Sequence, residues 1–342
     1  MPQSVSIAIV GDVHQQWGPA DEAALQALAV DLVLFVGDFG NEDLAVVEQI
    51  AALGLPKAAI CGNHDAWYTA TPWGRRKRPY DPAVSDRFQA QLDALGAAHV
   101  GYGKLDFAQL GITVVGARPF SWGGSKWRNK TFYRDRYGIE GFADSTARIV
   151  AVARTATQPT VLVIGHNGPK GLGHQPEDIC GKDWNPIGGD YGDPDLSAAI
   201  AQLEPELHRQ GKSLPLVSFG HMHHRLRHRK DRLRTCLVQQ GKTLYLNAAR
   251  CPRLLDSPAG PLRNFSLVTL AGGAVTASQL VWLDASQRVV ESEDLLAQAE
   301  IRAEPVPPGP KKVRKKVRKK AHGRASGRFF WFFLDLLNPH PA

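Results

Sequence analysis

The chain has 342 residues, 43% of them hydrophobic and 22% charged, the balance of an ordinary globular protein and not of a disordered one. Its formal net charge of +8 is unevenly spread: Lys311 to Arg328 holds 10 of the 41 Lys and Arg, and Asp335 is the one acid beyond residue 310, so residues 1–310 carry 31 bases against 32 acids. The basic character belongs to the tail, which excludes a body that binds polyanions through its overall charge.

The first apolar run, Val5 to Val10, reads at once as a buried strand, with no basic leader or signal-type core before it. It stops at Gly11-Asp12-Val13-His14, and the same grammar recurs four more times: DLVLFV before Gly37-Asp38, KAAI before Gly62-Asn63-His64-Asp65, TVLVI before Gly165-His166, and PLVSF before Gly220-His221-Met222-His223. Ala/Leu-rich segments between the runs, Asp21 to Val30, Leu44 to Leu53 and Asp86 to Leu95, read as helices. Further strands are expected at Ile112 to Val115, Thr243 to Leu246, Phe265 to Leu270 and Gln279 to Leu283. Continuous apolar strands separated by helices imply a sheet buried on both faces, with the ligand crevice beyond the strands' carboxyl ends. All five polar clusters are therefore expected along one rim.

Cys61, Cys180, Cys236 and Cys251 form no CxxC pair or dense framework, which suits a reducing, cytoplasmic setting. No run reaches the ~18 apolar residues of a membrane-spanning helix. No Pro/Gly-rich or highly charged break precedes about residue 301. The expected organisation is one domain over 1–300, a flexible Pro-rich and polybasic linker over 301–328, and a short apolar segment over 329–342.

The residues at the five strand ends form the inventory of a two-metal hydrolase: oxygen and imidazole ligands, one of them able to bridge, with a place left for water. Asp12 and His14 are two apart on an extended exit, so both side chains can face one pocket, and His221 and His223 repeat that spacing. Asp38 is the natural bridge because a carboxylate can give an oxygen to each ion. The amide oxygen of Asn63 is a neutral ligand, and His166 completes the second site. Two divalent ions, two carboxylates and a hydroxide leave about +1 facing an anionic phosphate. His64 is not needed as a ligand and fits a general acid for the departing alkoxide.

GDVH, GD, GNHD, GH and GHMH, in this order, resemble the metal-binding motifs of the calcineurin-like metallophosphoesterase superfamily and span Gly11 to His223. The resemblance implies an α/β, four-layer αββα sandwich in which two mixed β-sheets are flanked by helices and a dinuclear site lies at the strand ends. By matching motif it implies Asp12, His14 and His223 on the first metal, Asp38 as bridge, and Asn63, His166 and His221 on the second. His64 matches the histidine that contacts substrate and assists the leaving group. The implied reaction is hydrolysis of a phosphomonoester or phosphodiester by metal-bridged hydroxide, with Mn, Fe or Zn as the ions. Protein Ser/Thr phosphatases end the third motif in Glu and place an Asp three residues after the bridging Asp; Asp65 and Asn41 stand there, which argues against that subgroup. Purple acid phosphatases use a Tyr shortly after the bridging Asp, where this chain has Phe39-Gly40-Asn41. The Asn167 to Leu196 segment looks like that of a cyanobacterial and plastid subgroup.

Asn41 and Arg118 are the candidate substrate-binding residues, Arg118 because its planar fork could clamp a phosphate oxygen, with a surface or structural role as the alternative. Asn167 to Leu196 reads as a long lid or specificity loop, and its Asp183, Asp190 and Asp193 as solvated turn residues in preference to a further metal site. Arg225 to Arg234 reads as an edge strand with one basic face. The polybasic and apolar 311–337 tail resembles a two-signal anchor for peripheral contact with an anionic membrane, with nucleic acid, a partner groove or disorder as alternatives. A non-catalytic metal-containing scaffold and a nuclease or RNA-processing enzyme are the competing functions. Oligomeric state and substrate identity are not legible.

Overall fold

The apolar runs form the strands expected of them, and the helices fall between. The computed structural model describes residues 4–302. The first half contains β1 (Val5–Val10), α1 (Pro19–Ala27), β2 (Leu32–Phe35), α2 (Leu44–Ala52), β3 (Lys57–Ala59), α3 (Pro72–Lys77), α4 (Arg87–Leu95), β4 (Lys104–Phe107) and β5 (Ile112–Gly116). There follow α5 (Lys130–Tyr137), α6 (Phe142–Ala153), β6 (Thr160–Ile164), α7 (Pro194–Arg209), β7 (Ser213–Phe219), β8 (Leu237–Gln240) and β9 (Thr243–Asn247). The chain closes with β10 (Leu254–Ser257), β11 (Gly260–Ala271), β12 (Ala274–Leu283), β13 (Val289–Asp294) and β14 (Glu300–Arg302).

Side chains start the helices. Asp43 caps α2 by accepting from Val46 N, Asp86 caps α4 through Gln89 N, and prolines open α1 and α7 where no N–H is needed.

The strands make two mixed sheets. One runs β13-β12-β11-β1-β2-β3 with β10 beside β11, and the other runs β14-β8-β9-β7-β6-β5-β4. Within them β1, β2 and β3 are mutually parallel, as are β5, β6, β7 and β9.

Alternation along each strand divides the core into layers. Ile7, Ile9 and Leu34 of the first sheet pack in one cluster with Val114, Leu162, Leu216 and Leu246 of the second. The intervening Ala8, Val10, Val33 and Phe35 face outward with Val47, Ile50, Ile149 and Leu203 of the helices. This is the αββα sandwich expected, and it brings the carboxyl ends of two parallel strand sets to one rim.

Helices α3 and α5 to α7, and the short or exposed strands β4, β8, β10, β13 and β14, have no counterpart in the apolar grammar. β13, VVESED, is largely exposed, so burial never imposed the pattern that would reveal it. β14 spans Glu300–Arg302 and closes the described chain. The remainder of the 301–328 linker and the 329–342 segment lie outside the described residues. Among the described residues no helix is long and apolar enough to cross a membrane.

Candidate metal centre

Where β1, β2, β3, β6 and β7 stop, a glycine-led turn swings a polar side chain into the space above the sandwich. Asp12 (φ 49°), His14 (φ 44°), Asp38 (φ 56°) and His221 (φ 68°) hold left-handed backbone, which costs roughly 1–3 kcal/mol each and persists only where the surroundings enforce it. Backbone bonds enforce it: His14 N donates to Asp38 O at 2.8 Å, Asp12 N to Gly37 O at 3.0 Å, and Gly220 N to His166 O at 2.8 Å. Two glycines are required by close approach. A Cβ at Gly62 would stand 2.3 Å from Asp38 Oδ1, and one at Gly220 2.2 Å from Asp12 Oδ2.

The seven residues expected to hold metal come together in two adjoining groups. In the first, Asp12 Oδ1 lies 3.2 Å from His223 Nε2 and 3.8 Å from His14 Nε2, and the two ring nitrogens are 3.0 Å apart. Asp12 Oδ1 is buried without a hydrogen-bond partner, while Oδ2 accepts the His221 backbone N–H at 2.8 Å. In the second, His166 Nε2 lies 3.0 Å from Asn63 Oδ1, 3.2 Å from His221 Nδ1 and 3.2 Å from Asp38 Oδ1. Asp38 belongs to both: it clusters with His166 and His221 on one side and with His14 and His64 on the other.

His166 shows why these atoms do not satisfy one another. Its Nδ1 lies 2.8 Å from Val36 O, a carbonyl that assigns the proton to that nitrogen. A neutral ring then turns its Nε2 lone pair toward the Asn63 and Asp38 oxygens, acceptors facing an acceptor. A positive species at Nε2 relieves the conflict, whether proton or metal ion. Burial by itself lowers His166, but the Asp38 carboxylate outweighs it and raises the group to about 10. Burial and the neighbouring His166 push His221 down to about 3, leaving its nitrogen free to donate a lone pair.

Asp65, which the sequence marks only as a departure from Glu, knits two of the loops together. It is fully buried, and its oxygens accept from the backbone N–H groups of Asp38 (3.0 Å), Phe39 (2.8 Å), Gly40 (3.3 Å) and Gly62 (2.6 Å). Burial and the nearby Asp38 push Asp65 up to about 8, yet four donors and no acceptor face it, so the ionised carboxylate is the form this pocket satisfies. Asn247 has a similar role: its Nδ2 donates to Met222 O at 2.6 Å and its Oδ1 accepts from Ala249 N at 3.0 Å, tying the His221–His223 turn to the end of β9. Cys251 lies near His14 and His223. Burial raises its pKa, and the protonated thiol donates to Asp12 O at 3.2 Å.

His64 stands at the mouth, its side chain 29% exposed, with Nε2 3.9 Å from Asp38 Oδ2. Two contacts orient it. Asn41 Oδ1 lies 2.5 Å from His64 Nδ1, where a ring N–H donates to it, and Trp67 stacks on the imidazole at 4.5 Å with Trp122 stacked in turn at 5.4 Å. Asn41 is thus placed to position His64, and it lies exposed at the mouth where the sequence expected a substrate-binding residue. Trp67 and Trp122 carry no motif, and only their nearness in the fold reveals them.

Arg118 takes the structural alternative and not the phosphate-clamping role. It is 4% exposed, its Nε donates to Asp195 Oδ2 and its Nη2 to Asp193 Oδ1, each at 2.8 Å, and the aromatic rings of Trp127, Tyr133 and Phe142 surround it. The fork that was to clamp phosphate instead pins the first turn of α7 to the loop after β5. Arg118→Met should leave two buried carboxylates unpaired and cost roughly 3–5 kcal/mol of stability, with turnover per folded molecule little changed. Thermal unfolding alongside active-site titration checks both halves.

The acidic loop residues are not solvated turns either. Asp183 is buried and pairs with Arg234 at 3.1 Å, and Asp190 accepts from the backbone of Gly171 and Gly192. Arg225 to Arg234 forms no basic strand face. One isolated bridge, Arg225 to Leu233, spans it, and Glu177 gathers His228, Arg229 and Arg232.

The calcineurin-like phosphoesterase profile matches residues 5–225, strand β1 through the last metal-type turn. The chain belongs to the calcineurin-like phosphoesterases. Solved structures that resemble this family member include a purple acid phosphatase from yellow lupin (Lupinus luteus) seeds, 12% identical, with a TM-score of 0.45 over 89% of this chain and 55% of that one. A dimetal phosphatase from Danio rerio is 13% identical, with a TM-score of 0.41 over 86% of this chain and 99% of that one. The chain thus spans little more than half of the lupin protein. No curated protein matches it. As a calcineurin-like phosphoesterase it is a hydrolase of phosphate esters that works with divalent metal ions. The donor set fits that requirement, because a buried carboxylate oxygen without a partner and convergent imidazole nitrogens are what a cation satisfies.

Proposed function

We propose that this protein is a dinuclear phosphoesterase in which Asp12, His14 and His223 hold one ion, Asn63, His166 and His221 hold the other, and Asp38 is shared. The carrying observation is the position of the Asp38 carboxylate, 3.2 Å by Oδ1 from His166 Nε2 and 3.9 Å by Oδ2 from His64 Nε2. The N/O donors suit Mn, Fe or Zn. Bound ions would supply Lewis acidity toward the phosphoryl oxygens and lower the pKa of a water molecule.

The protein's own residues do the rest. His166 is oriented by Val36 O, Asp12 by the His221 N–H and Asp38 by the His64 N–H at 2.9 Å, so the polar edge is set before substrate arrives. His64, held by Asn41 and Trp67 at the open side, protonates the leaving-group oxygen.

Metal-stripped protein reconstituted with Mn, Zn or Fe should hydrolyse bis-p-nitrophenyl phosphate or p-nitrophenyl phosphate. His64→Ala should lower kcat by about 10²–10⁴-fold, more for alkyl than for nitrophenyl esters, because only a poor leaving group needs the proton. Two bound ions with no turnover of any ester would favour the scaffold reading.

A further inference from the structure

Between Asp65 and Asp81 the sequence has no acid, yet it contains Arg75, Arg76, Lys77 and Arg78 in succession. The structure makes this stretch a defined lobe beside the catalytic mouth. Thr71 caps α3 by accepting from Gly74 N at 2.8 Å, and Arg75 Nη1 donates to Thr69 O at 2.9 Å. The lobe is bolted to the body through Glu42, which is wholly buried and receives both the Tyr80 hydroxyl and the Tyr68 N–H.

Two features of its outer surface have no structural employment. Arg75, Arg76 and Lys77 are exposed, and no carboxylate pairs with any of them among the described residues. The other basic run differs in part: Arg229, Arg232 and Arg234 are ion-paired, while Arg225, Arg227 and Lys230 are exposed. Trp73 is 46% exposed, edge-on to Trp67 at 5.9 Å, and Trp67 stacks on His64. A row of rings therefore leads from the basic lobe to the reacting edge.

We propose that the lobe from Thr71 to Arg87 is a platform for single-stranded nucleic acid, with Trp73 receiving a base face and Arg75, Arg76 and Lys77 receiving the flanking phosphates. The substrate class is then a phosphodiester within, or at the end of, a polynucleotide strand; this rests on the phosphoesterase reading above. A single strand is favoured over a duplex because an exposed indole takes a base only when the base is unstacked. It is favoured over a lipid surface because the lobe has just two large exposed apolar side chains, Trp73 and Val84, too few for insertion. Continuity of the ring row with His64 also points to a substrate.

The test compares wild type, Arg75→Ala/Arg76→Ala/Lys77→Ala and Trp73→Ala, all as full chains, for binding of labelled oligothymidylate by anisotropy in chelator across a salt series. The polybasic tail contributes equally to all three proteins, so differences report the lobe. Losing three phosphate contacts should flatten the slope of log affinity against log salt by about 2. Trp73→Ala should weaken binding about tenfold with the slope kept. In metal-loaded protein, kcat/KM for the oligonucleotide relative to bis-p-nitrophenyl phosphate should fall at least tenfold in the triple variant. Equal affinity and slope in all three proteins would overturn the platform, as would loss of binding to phosphatidylserine vesicles while oligonucleotide binding persists. Should wild type hydrolyse nothing, the phosphoesterase reading fails while the binding comparison still decides the platform.

Discussion

Asp38→Asn should fold, bind fewer than two metal ions and lose turnover by about 10³-fold or more, the scale of several kcal/mol of lost charge stabilisation. The substitution preserves shape. Asp38 is 2% exposed, and its Oδ1 accepts the His64 N–H at 2.9 Å, which an amide oxygen can still do. What disappears is the negative charge that two groups of ligands share. The same charge holds a proton on His166 in metal-free protein up to about 10, well above the ordinary 6.5. That proton's stabilising contribution is fully present below about pH 6.5 and lost as pH rises through about 10. A cation must displace it, so uptake at pH 8 should release protons and apparent metal affinity should climb with pH across that window. In Asp38→Asn the release at pH 8 should shrink. Calorimetry in two buffers of different ionisation enthalpy measures it, and turnover equal to wild type or uptake without proton release would remove Asp38 from its proposed place.

Asp65→Ala should produce the largest loss of stability of any single change near the centre, about 4 kcal/mol, because up to four buried N–H groups lose their acceptor together. At roughly 2–4 °C per kcal/mol for a domain of this size, the melting temperature should drop by about 10 °C. The turn that presents Asp38 and the turn that presents Asn63 and His64 would separate, so metal affinity should fall although Asp65 is not a proposed ligand. A melting temperature within 2 °C of wild type, an order-of-magnitude threshold for less than one kcal/mol, would show that water replaces the carboxylate at little cost. Asp65→Glu tests geometry apart from charge.

These two residues differ in how far sequence reveals them. Asp38 follows a buried apolar run and a glycine, in step with four other such turns, and that repetition exposes a buried sheet and its polar rim, while the sandwich came from the family resemblance. Asp65 sits in the same motif, but nothing in its neighbours says that four amides of two loops converge on it. The seven proposed ligands are legible because each lies within four residues of a strand end. Asn41, Trp67 and Trp122 touch His64 or one another across chain distances that no local pattern spans.

Arg118 marks the other limit. A fork-shaped cation after a strand, among aromatic and glycine residues, has the sequence profile of a phosphate clamp, and the same fork serves a buried pair of carboxylates 75 and 77 residues away. Charge pairing is a property of proximity in space, so Asp193 reads as a solvated turn acid until α7 docks. The two basic runs part company at some of their residues for the same reason. Arg229, Arg232 and Arg234 are neutralised by acids that the fold delivers, whereas Arg75, Arg76 and Lys77 are left facing solvent. The sequence by itself determined the buried strands, the polar rim and the candidate ligands, because burial imposes a period on strands and close approach demands glycine beside carboxylates; the layered fold was what the family resemblance implied. Tertiary structure alone decided which charges are cancelled, which histidine is held and which surface stays open, because electrostatic partners are chosen by distance after folding.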